Sequence, residues 1–155
     1  MDYCKIKDID EYYMNHAVNE GRKAKNKTGL NPPVGVVIVK NNNIIGKGYT
    51  SMKGGNHAEI NAITKSKDES IGATLYSTLE PCSHYGLTPP CCEAVVKSGI
   101  KRVVIGIIDP YFKVNGKGIR YLRENGLEVQ LGVLKDIIEK DLTVYLNNVN
   151  KNKIK

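Results

Sequence analysis

The chain has 155 residues, of which 41% are apolar and 25% are charged, and its formal net charge is +7. This length suits one compact domain and is short for two, and no apolar run approaches the roughly 18–20 residues of a membrane helix. The N-terminus, from Met1 to Lys5, lacks the basic-then-apolar order of a signal peptide, so we expect a cytoplasmic protein. We therefore assign residues 1–150 to a single domain and residues 151–155 to a basic tail.

The predicted elements begin with a helix from Asp8 or Asp10 to Lys23, whose acidic start and basic end suit the helix macrodipole. A β-branched run from Val34 to Lys40 and a second run from Ile44 to Tyr49 flank an asparagine-rich turn, which predicts a hairpin. A second helix is expected from His57 to Lys65, with Asn56 as its N-cap and Ile60 and Ile63 on its apolar side.

Helices and strands alternate in the rest of the chain. A strand is predicted from Ala73 to Thr78, a helix opened by Pro89 and Pro90 runs to Ser98, and Val103 to Ile108 is a strand buried on both faces. The last predicted elements are a helix, a strand and a helix, at Gly118–Asn125, Leu127–Leu131 and Leu134–Asn148. This order predicts an α/β fold in which helices cover both faces of a mixed sheet of about five strands.

The positive charge raises the possibility of a nucleic-acid partner. Most basic residues are lysines spread along the chain, with one cluster from Arg22 to Lys27. Proteins that bind single-stranded nucleic acid combine a basic groove with aromatic stacking platforms, whereas only 6% of these residues are aromatic and none is tryptophan. We therefore interpret the charge as a solvated surface and do not expect a nucleic-acid or membrane partner.

Three of the four cysteines, Cys82, Cys91 and Cys92, lie within eleven residues. In a cytoplasmic chain such clustering favours metal binding over disulfides. A catalytic zinc ion takes three protein ligands and keeps one position open, a requirement that His57, Cys82 and Cys91 meet. Cys91 is predicted in the first turn of a helix, where unpaired backbone N–H groups favour a thiolate.

Glu59 lies two residues after His57, so it need not bind the metal and can reach the same water. Zinc lowers the pKa of a bound water, and a nearby carboxylate can then carry its proton. The combination H-x-E with P-C-x-x-C is the signature of nucleobase deaminases, although eight residues separate the two cysteines here. A closed structural zinc site is the alternative, with Cys92 or His84 as the fourth ligand.

From Asp10 to about Asn148 the chain resembles the deaminase domain of the bifunctional riboflavin-biosynthesis proteins. The stretches that carry the resemblance are Asn31–Gly35, Gly54–Glu59, Ala73–Tyr76, Thr78–His84, Thr88–Cys91, Asp109-Pro110 and Val114–Ile119. The resemblance implies a three-layer α/β/α cytidine deaminase-like fold. It also implies a small heteroaromatic amine as substrate, a diamino-ribosylamino-pyrimidinone phosphate that is deaminated by hydrolysis.

The resemblance assigns roles to individual residues as well. It implies zinc on His57, Cys82 and Cys91, with Glu59 as the proton shuttle. It implies substrate contacts by four residues: Asn31, Ala58, His84 and Leu87. Relatives in this fold associate through apolar helices, so a homodimer or homotetramer is expected, with the strand Val103–Ile108 and the Cys91 helix too apolar to be exposed.

Three departures from the family pattern bear on the substrate. The family has Arg or Lys where this chain has Leu87, its usual Asn-Pro after Asp-Pro is Tyr111-Phe112, and the proline before Asn31 is Leu30. If the substrate carries a phosphate, Lys53 or the cluster from Arg22 to Lys27 is expected to replace the missing cation.

The family's reductase domain would begin where this chain ends, so a separate reductase is expected to act beside it. The departures leave open a pterin, a guanine-like compound or a modified pyrimidine as the substrate. A nucleic-acid deaminase is a further alternative, against which the low aromatic content argues. A non-enzymatic zinc module is another, against which the open coordination position and Glu59 argue.

Overall fold

Five strands and six α-helices make up the part of the chain that the computed structural model describes, which is residues 3–52, 55–86 and 88–151. A short 3₁₀ helix, Lys67–Ser70, follows the second α-helix. The elements in chain order are α1 (Tyr3–Arg22), β1 (Gly35–Lys40), β2 (Asn43–Tyr49), α2 (Ala58–Ser66), β3 (Thr74–Leu79), α3 (Cys91–Lys97), β4 (Arg102–Ile107), α4 (Lys117–Glu124), β5 (Glu128–Leu131), α5 (Lys135–Asp141) and α6 (Thr143–Asn150). Among the described residues, no helix has both the length and the hydrophobicity of a transmembrane segment.

The strands form one mixed sheet in the order β2-β1-β3-β4-β5. Strand β1 is antiparallel to both β2 and β3, whereas β3, β4 and β5 run parallel to one another. The predicted hairpin is confirmed: Asn41 and Asn42 both have positive φ, as a tight two-residue turn between twisted strands requires. The predicted α/β class with a five-stranded mixed sheet is confirmed as well.

Helices cover both faces of the sheet. Helix α1 packs so closely on β1 that a Cβ atom at Gly35 would collide with the backbone of Ala17 and Gly21. On the opposite face, Gly46 and Gly48 of β2 leave room for the backbone of α2. Because both helices approach the sheet at glycines, the positions of α1 and α2 are set by backbone contact as well as by side-chain packing.

Several predicted helices differ from the structure. Helix α1 begins at Tyr3, before the predicted start at Asp8 or Asp10, and its first turn holds no acidic residue. The N-cap of α2 is His57 and not Asn56. The predicted helix Leu134–Asn148 is two helices, α5 and α6, separated at the buried Leu142, whose ψ of 14° leaves the helical range. In α2 the fully buried apolar positions are Ala58 and Ala62, whereas Ile60 and Ile63 are only half-buried, because glycines opposite the helix favour small side chains.

The loops at one edge of the sheet are joined by a single carboxylate. Glu80, directly after β3, is only 3% exposed. Its Oε1 accepts hydrogen bonds from the backbone N–H groups of Asp109 (3.2 Å) and Gly116 (3.0 Å). Its Oε2 accepts from those of Gly118 (3.0 Å) and Ile119 (3.2 Å), in the first turn of α4, where N–H groups lack partners within the helix.

Burial raises the pKa of Glu80, and the four backbone donors oppose that effect because they stabilise the ionised form. Glu80 therefore connects the end of β3 with the loop after β4 and with the start of α4.

Replacing Glu80 with Ala should destabilise the protein strongly. Four backbone N–H groups would lose their acceptor, and each buried donor left unsatisfied costs about 1–3 kcal/mol. We expect the free energy of unfolding, measured by urea denaturation, to fall by at least about 3 kcal/mol. Glu80→Gln keeps one carbonyl oxygen, so its free energy of unfolding should lie between those of the wild type and Glu80→Ala. As a control, Glu124→Ala at the exposed end of α4 should change it by no more than about 0.5 kcal/mol. Equal urea midpoints for Glu80→Ala and the wild type would contradict this role.

Candidate metal centre and active site

Three side chains from separate elements meet beside the sheet edge. His57 is the N-cap residue of α2, Cys82 lies in the loop after β3, and Cys91 is the first residue of α3. The Nδ1 atom of His57 lies 3.0 Å from Sγ of Cys91 and 3.7 Å from Sγ of Cys82. All three ligand atoms lie within 4.8 Å of one another. Tetrahedral zinc, with bonds of about 2.0–2.3 Å, places its ligands roughly 3.3–3.8 Å apart, so this group fits zinc.

The two thiols are held by the backbone at the start of α3. The N–H of Cys91 donates to Sγ of Cys82 (3.2 Å), and the N–H of Cys92 donates to the carbonyl of Cys82 (3.1 Å). Pro90 supplies the extended residue before the helix, with φ of −60° and ψ of 138°. The predicted order of strand, turn and helix around the ligands is therefore present. Helix α3 was predicted to start at Pro89 and Pro90, but it starts at Cys91, with Pro90 as its N-cap.

The electrostatics of the pair favour one thiolate. The hydrogen bond from the Cys91 thiol, followed by that from His57, lowers the pKa of Cys82 to about 4. The same hydrogen bond raises the pKa of Cys91 well above its usual value, with burial and the negative charge of Glu59 as further causes. A divalent cation between the two sulfurs would offset their repulsion and allow both to ionise.

Glu59 lies close to these ligands. It is the second residue of α2, is only 4% exposed, and is near enough to Cys91 to raise the pKa of that thiol. Glu59, His57 and Cys82 line one narrow cavity of about 30 Å³. The other polar residues that line it are Asn31, Thr50, Glu80 and Asp109. A buried carboxylate and two of the metal-binding residues thus line one cavity.

The Asn31 segment is held in place by two threonines. Thr28 Oγ1 donates to the carbonyl of Asn31 (2.7 Å). Thr50 Oγ1 donates to the carbonyl of Pro32 (2.8 Å) and accepts from the N–H of Val34 (2.9 Å). These contacts orient the backbone at Asn31, which lines the cavity.

The other predicted substrate contacts have different surroundings. The His84 ring meets the Tyr111 ring edge to face, with 5.6 Å between centroids. The side chain of Ala58 is fully buried in the core, so this residue can contact a substrate only through its backbone. Leu87 lies outside the described residues.

Cys92 is not part of the ligand group. Among the described residues, the group that could hold a metal consists of His57, Cys82 and Cys91. Cys92 belongs to the main hydrophobic core, and burial raises its pKa to about 12. This arrangement argues against a closed site with Cys92 as the fourth ligand.

Two further residues lie near the site: Asp109, which the sequence indicated only as part of a family motif, and Tyr111, which it indicated only as a departure from the family pattern. Tyr111, only 5% exposed, packs with Cys82, Cys91 and Val114 in a small buried cluster. Asp109 accepts hydrogen bonds from the N–H of Tyr111 (3.0 Å) and from the hydroxyl of Tyr145 (2.8 Å). The available signal was their position directly after a buried parallel strand, at the edge where ligands of α/β proteins bind.

Comparisons with known proteins agree with this geometry. Residues 7–107 match the family model described as the cytidine and deoxycytidylate deaminase zinc-binding region. Two curated relatives from Buchnera aphidicola, from the subspecies Schizaphis graminum and Acyrthosiphon pisum, are named diaminohydroxyphosphoribosylamino-pyrimidine deaminase. The first is 46% identical over 84% of this chain and 89% of its own length, and the second is 50% identical over 81% and 85%.

A solved structure of RibD from Acinetobacter baumannii is similar with a TM-score of 0.90 and 40% identity. The match covers 92% of this chain and 40% of that one, so this chain spans less than half of the longer protein. The family match, the relatives and the ligand group confirm the predicted deaminase fold and zinc cofactor. The chain belongs to the zinc-dependent cytidine and deoxycytidylate deaminase family, on the branch of the diaminohydroxyphosphoribosylamino-pyrimidine deaminases.

Proposed function

We propose that the chain deaminates the diaminohydroxyphosphoribosylamino-pyrimidine of riboflavin biosynthesis, by hydrolysis of an exocyclic amine. The observation that carries this proposal is the group of His57, Cys82 and Cys91, of which His57 and Cys82 line the same cavity as Glu59. The relatives that carry the same activity in their names are matched over 85–89% of their length. Release of ammonia from this pyrimidine by the purified protein tests the proposal directly.

The side chains divide the chemistry between them. His57, Cys82 and Cys91 would hold zinc, and zinc with three protein ligands acidifies a water and so supplies a nucleophile near neutral pH. Glu59 accepts the proton of the attacking water and delivers it to the departing nitrogen, which leaves as ammonia. The burial of Glu59 excludes bulk water from this transfer.

The substrate ring is assigned to the cavity beside Glu59. The Asn31 amide offers both donors and an acceptor, which suits a pyrimidinone edge that presents both kinds of group. The hydrogen bonds of Thr28 and Thr50 hold the backbone on which this amide depends. We assign further contacts to the backbone of Ala58, to His84 and to Leu87.

A second candidate changes the ring but keeps the chemistry. Tyr111, which stands where the family usually has Asn, contacts the His84 ring and packs with both ligand cysteines. This larger apolar wall favours a pterin, a guanine-like compound or another modified pyrimidine. Parallel ammonia assays with these compounds separate the two candidates.

The wider organisation stays a prediction. It comprises a single domain over residues 1–150, a cytoplasmic location, a homodimer or homotetramer, and a separate reductase partner. The structure corrects one reason given for assembly: β4 and the apolar side of α3 are buried within the chain itself. Their hydrophobicity is therefore explained without a second subunit.

Loss of either ligand thiol should remove the metal. Wild-type protein should hold about one zinc per chain, and Cys82→Ala and Cys91→Ala should lose most of it, because a three-ligand site depends on each ligand. Cys92→Ala is the matched control and should retain zinc, since Cys92 belongs to the core. Elemental analysis after dialysis measures the content. Equal zinc loss in Cys92→Ala would show that a ligand is misassigned.

Glu59→Gln should remove turnover and keep the metal. The amide cannot accept and return a proton, and a general acid–base group contributes about 10²–10⁴-fold. We therefore expect kcat to fall by at least that factor at unchanged zinc content. Glu69→Gln, on the exposed 3₁₀ helix, should retain wild-type kcat. Wild-type turnover by Glu59→Gln would refute the proton-transfer role.

A further inference from the structure

The proposed substrate carries a phosphate, a dianion near neutral pH that proteins bind with Lys or Arg side chains. A cation for this group should lie beside the metal ligands but outside the buried part of the site. The loop after Cys82 and the segment after β4 face each other there. Ser83 Oγ donates to the carbonyl of Lys113 (3.5 Å), which places Lys113 opposite the residue that follows a metal ligand.

The neighbours of Lys113 are anchored next to the metal ligands. Tyr111 and Val114 are buried and pack with Cys82 and Cys91. Lys113 itself is exposed. The exposed Lys113 thus lies in the chain between neighbours that pack with the two ligand cysteines.

The charge of Lys113 is available for a ligand. Its Nζ lies 5.9 Å from the centroid of the Phe112 ring, and Phe112 is 67% exposed. In residues 3–52, 55–86 and 88–151, the ion pairs formed by lysine and arginine do not include Lys113. An ammonium group beside an exposed ring can turn towards an anion without breaking an ion pair.

The cations expected from the sequence are less suitable. Arg22 forms a two-bond pair with Asp141, at 2.8 and 3.4 Å, and Lys23 pairs with Glu20 at 2.6 Å. Lys53 lies outside the described residues. Within the cluster from Arg22 to Lys27, Lys27 is the strongest alternative to Lys113, because it directly precedes the turn from Thr28 to Asn31.

We propose that Lys113 binds the substrate phosphate and so sets the preference of this deaminase for a phosphorylated pyrimidine. The inference rests on the proposed function, which it deepens by naming the residue that recognises the phosphate. Lys113 acts in binding and takes no part in proton transfer, so its loss should change KM and leave kcat nearly unchanged.

The test compares Lys113→Gln, Lys113→Arg and wild type on the phosphorylated pyrimidine and on its dephosphorylated form, by ammonia release. Lys113→Gln should raise KM for the phosphorylated compound roughly tenfold, the size expected for one charged contact. It should leave KM for the dephosphorylated compound unchanged, and Lys113→Arg should stay near wild type. Lys101→Gln, an exposed lysine at the other end of β4, is the matched control and should behave as wild type.

Three outcomes would overturn the inference while the proposed function stands. The first is an unchanged KM of Lys113→Gln for the phosphorylated compound, and the second is an equal rise of its KM for both compounds. The third is a phosphate-specific rise of KM in Lys27→Gln and not in Lys113→Gln.

Calorimetry with ribose 5-phosphate separates failure of the inference from failure of the function. If ribose 5-phosphate binds more weakly to Lys113→Gln than to wild type, the phosphate contact is supported. If wild type at the same time deaminates neither pyrimidine, the proposed substrate is refuted. Binding equal in wild type and Lys113→Gln would refute the contact.

Discussion

The Glu80 carboxylate is the constraint on which the rest of the site depends. Strands β3 and β4 are parallel, so both end at the same edge of the sheet, and the chain must leave them through loops. Loops carry backbone N–H groups that need acceptors when they are buried. Glu80 supplies four acceptor positions at one point. The loop after β4 is thereby held against the residues that lead to Cys82.

Two buried carboxylates, Glu59 and Glu80, line one cavity, and the hydrogen bonds of Glu80 give the two different roles. Both oxygens of Glu80 accept two backbone N–H bonds each, so protonation would place a hydroxyl against a donor. Glu80 is therefore suited to hold structure and unsuited to exchange protons during turnover. Glu59 is held in the first turn of α2 beside Cys91, where a proton carrier is useful. The two side chains are chemically identical, so it is their positions and hydrogen-bond partners that give them different roles.

Local patterns predicted much of this architecture. The asparagine turn and the apolar strand before Ile108 are short-range signals, and both are present in the structure. They depend on residues whose backbone or side-chain preferences act within a few positions of the chain. Cys82 and Cys91 lie 25 and 34 positions after His57, and this ligand group was predicted from residue types that suit zinc. The order of helices and strands along the chain was then enough to predict the mixed sheet, because parallel strands need crossover connections such as helices.

The sequence-based predictions were wrong where contacts between residues far apart in the chain determine the structure. The last helix breaks at Leu142, and α6 then places the Tyr145 hydroxyl on Asp109, a contact across 36 positions that periodicity does not reveal. The apolar side of α2 was assigned to isoleucines, although glycines in β2 select alanines at the closest approach. Glu80 was noticed only as part of a motif, because its four partners lie 29 to 39 residues away.

Two residues that depart from the family pattern, Tyr111 and Phe112, lie on the loop that Glu80 holds, between the anchors Asp109 and Gly116. Because both ends of the segment are tied to one carboxylate, its side chains can change while its backbone stays in register with the ligand cysteines. Tyr111 faces His84 from this frame, and Phe112 is exposed. Such a loop allows substrate preference to vary without disturbing the metal ligands or Glu59, which are supplied by α2, α3 and the end of β3.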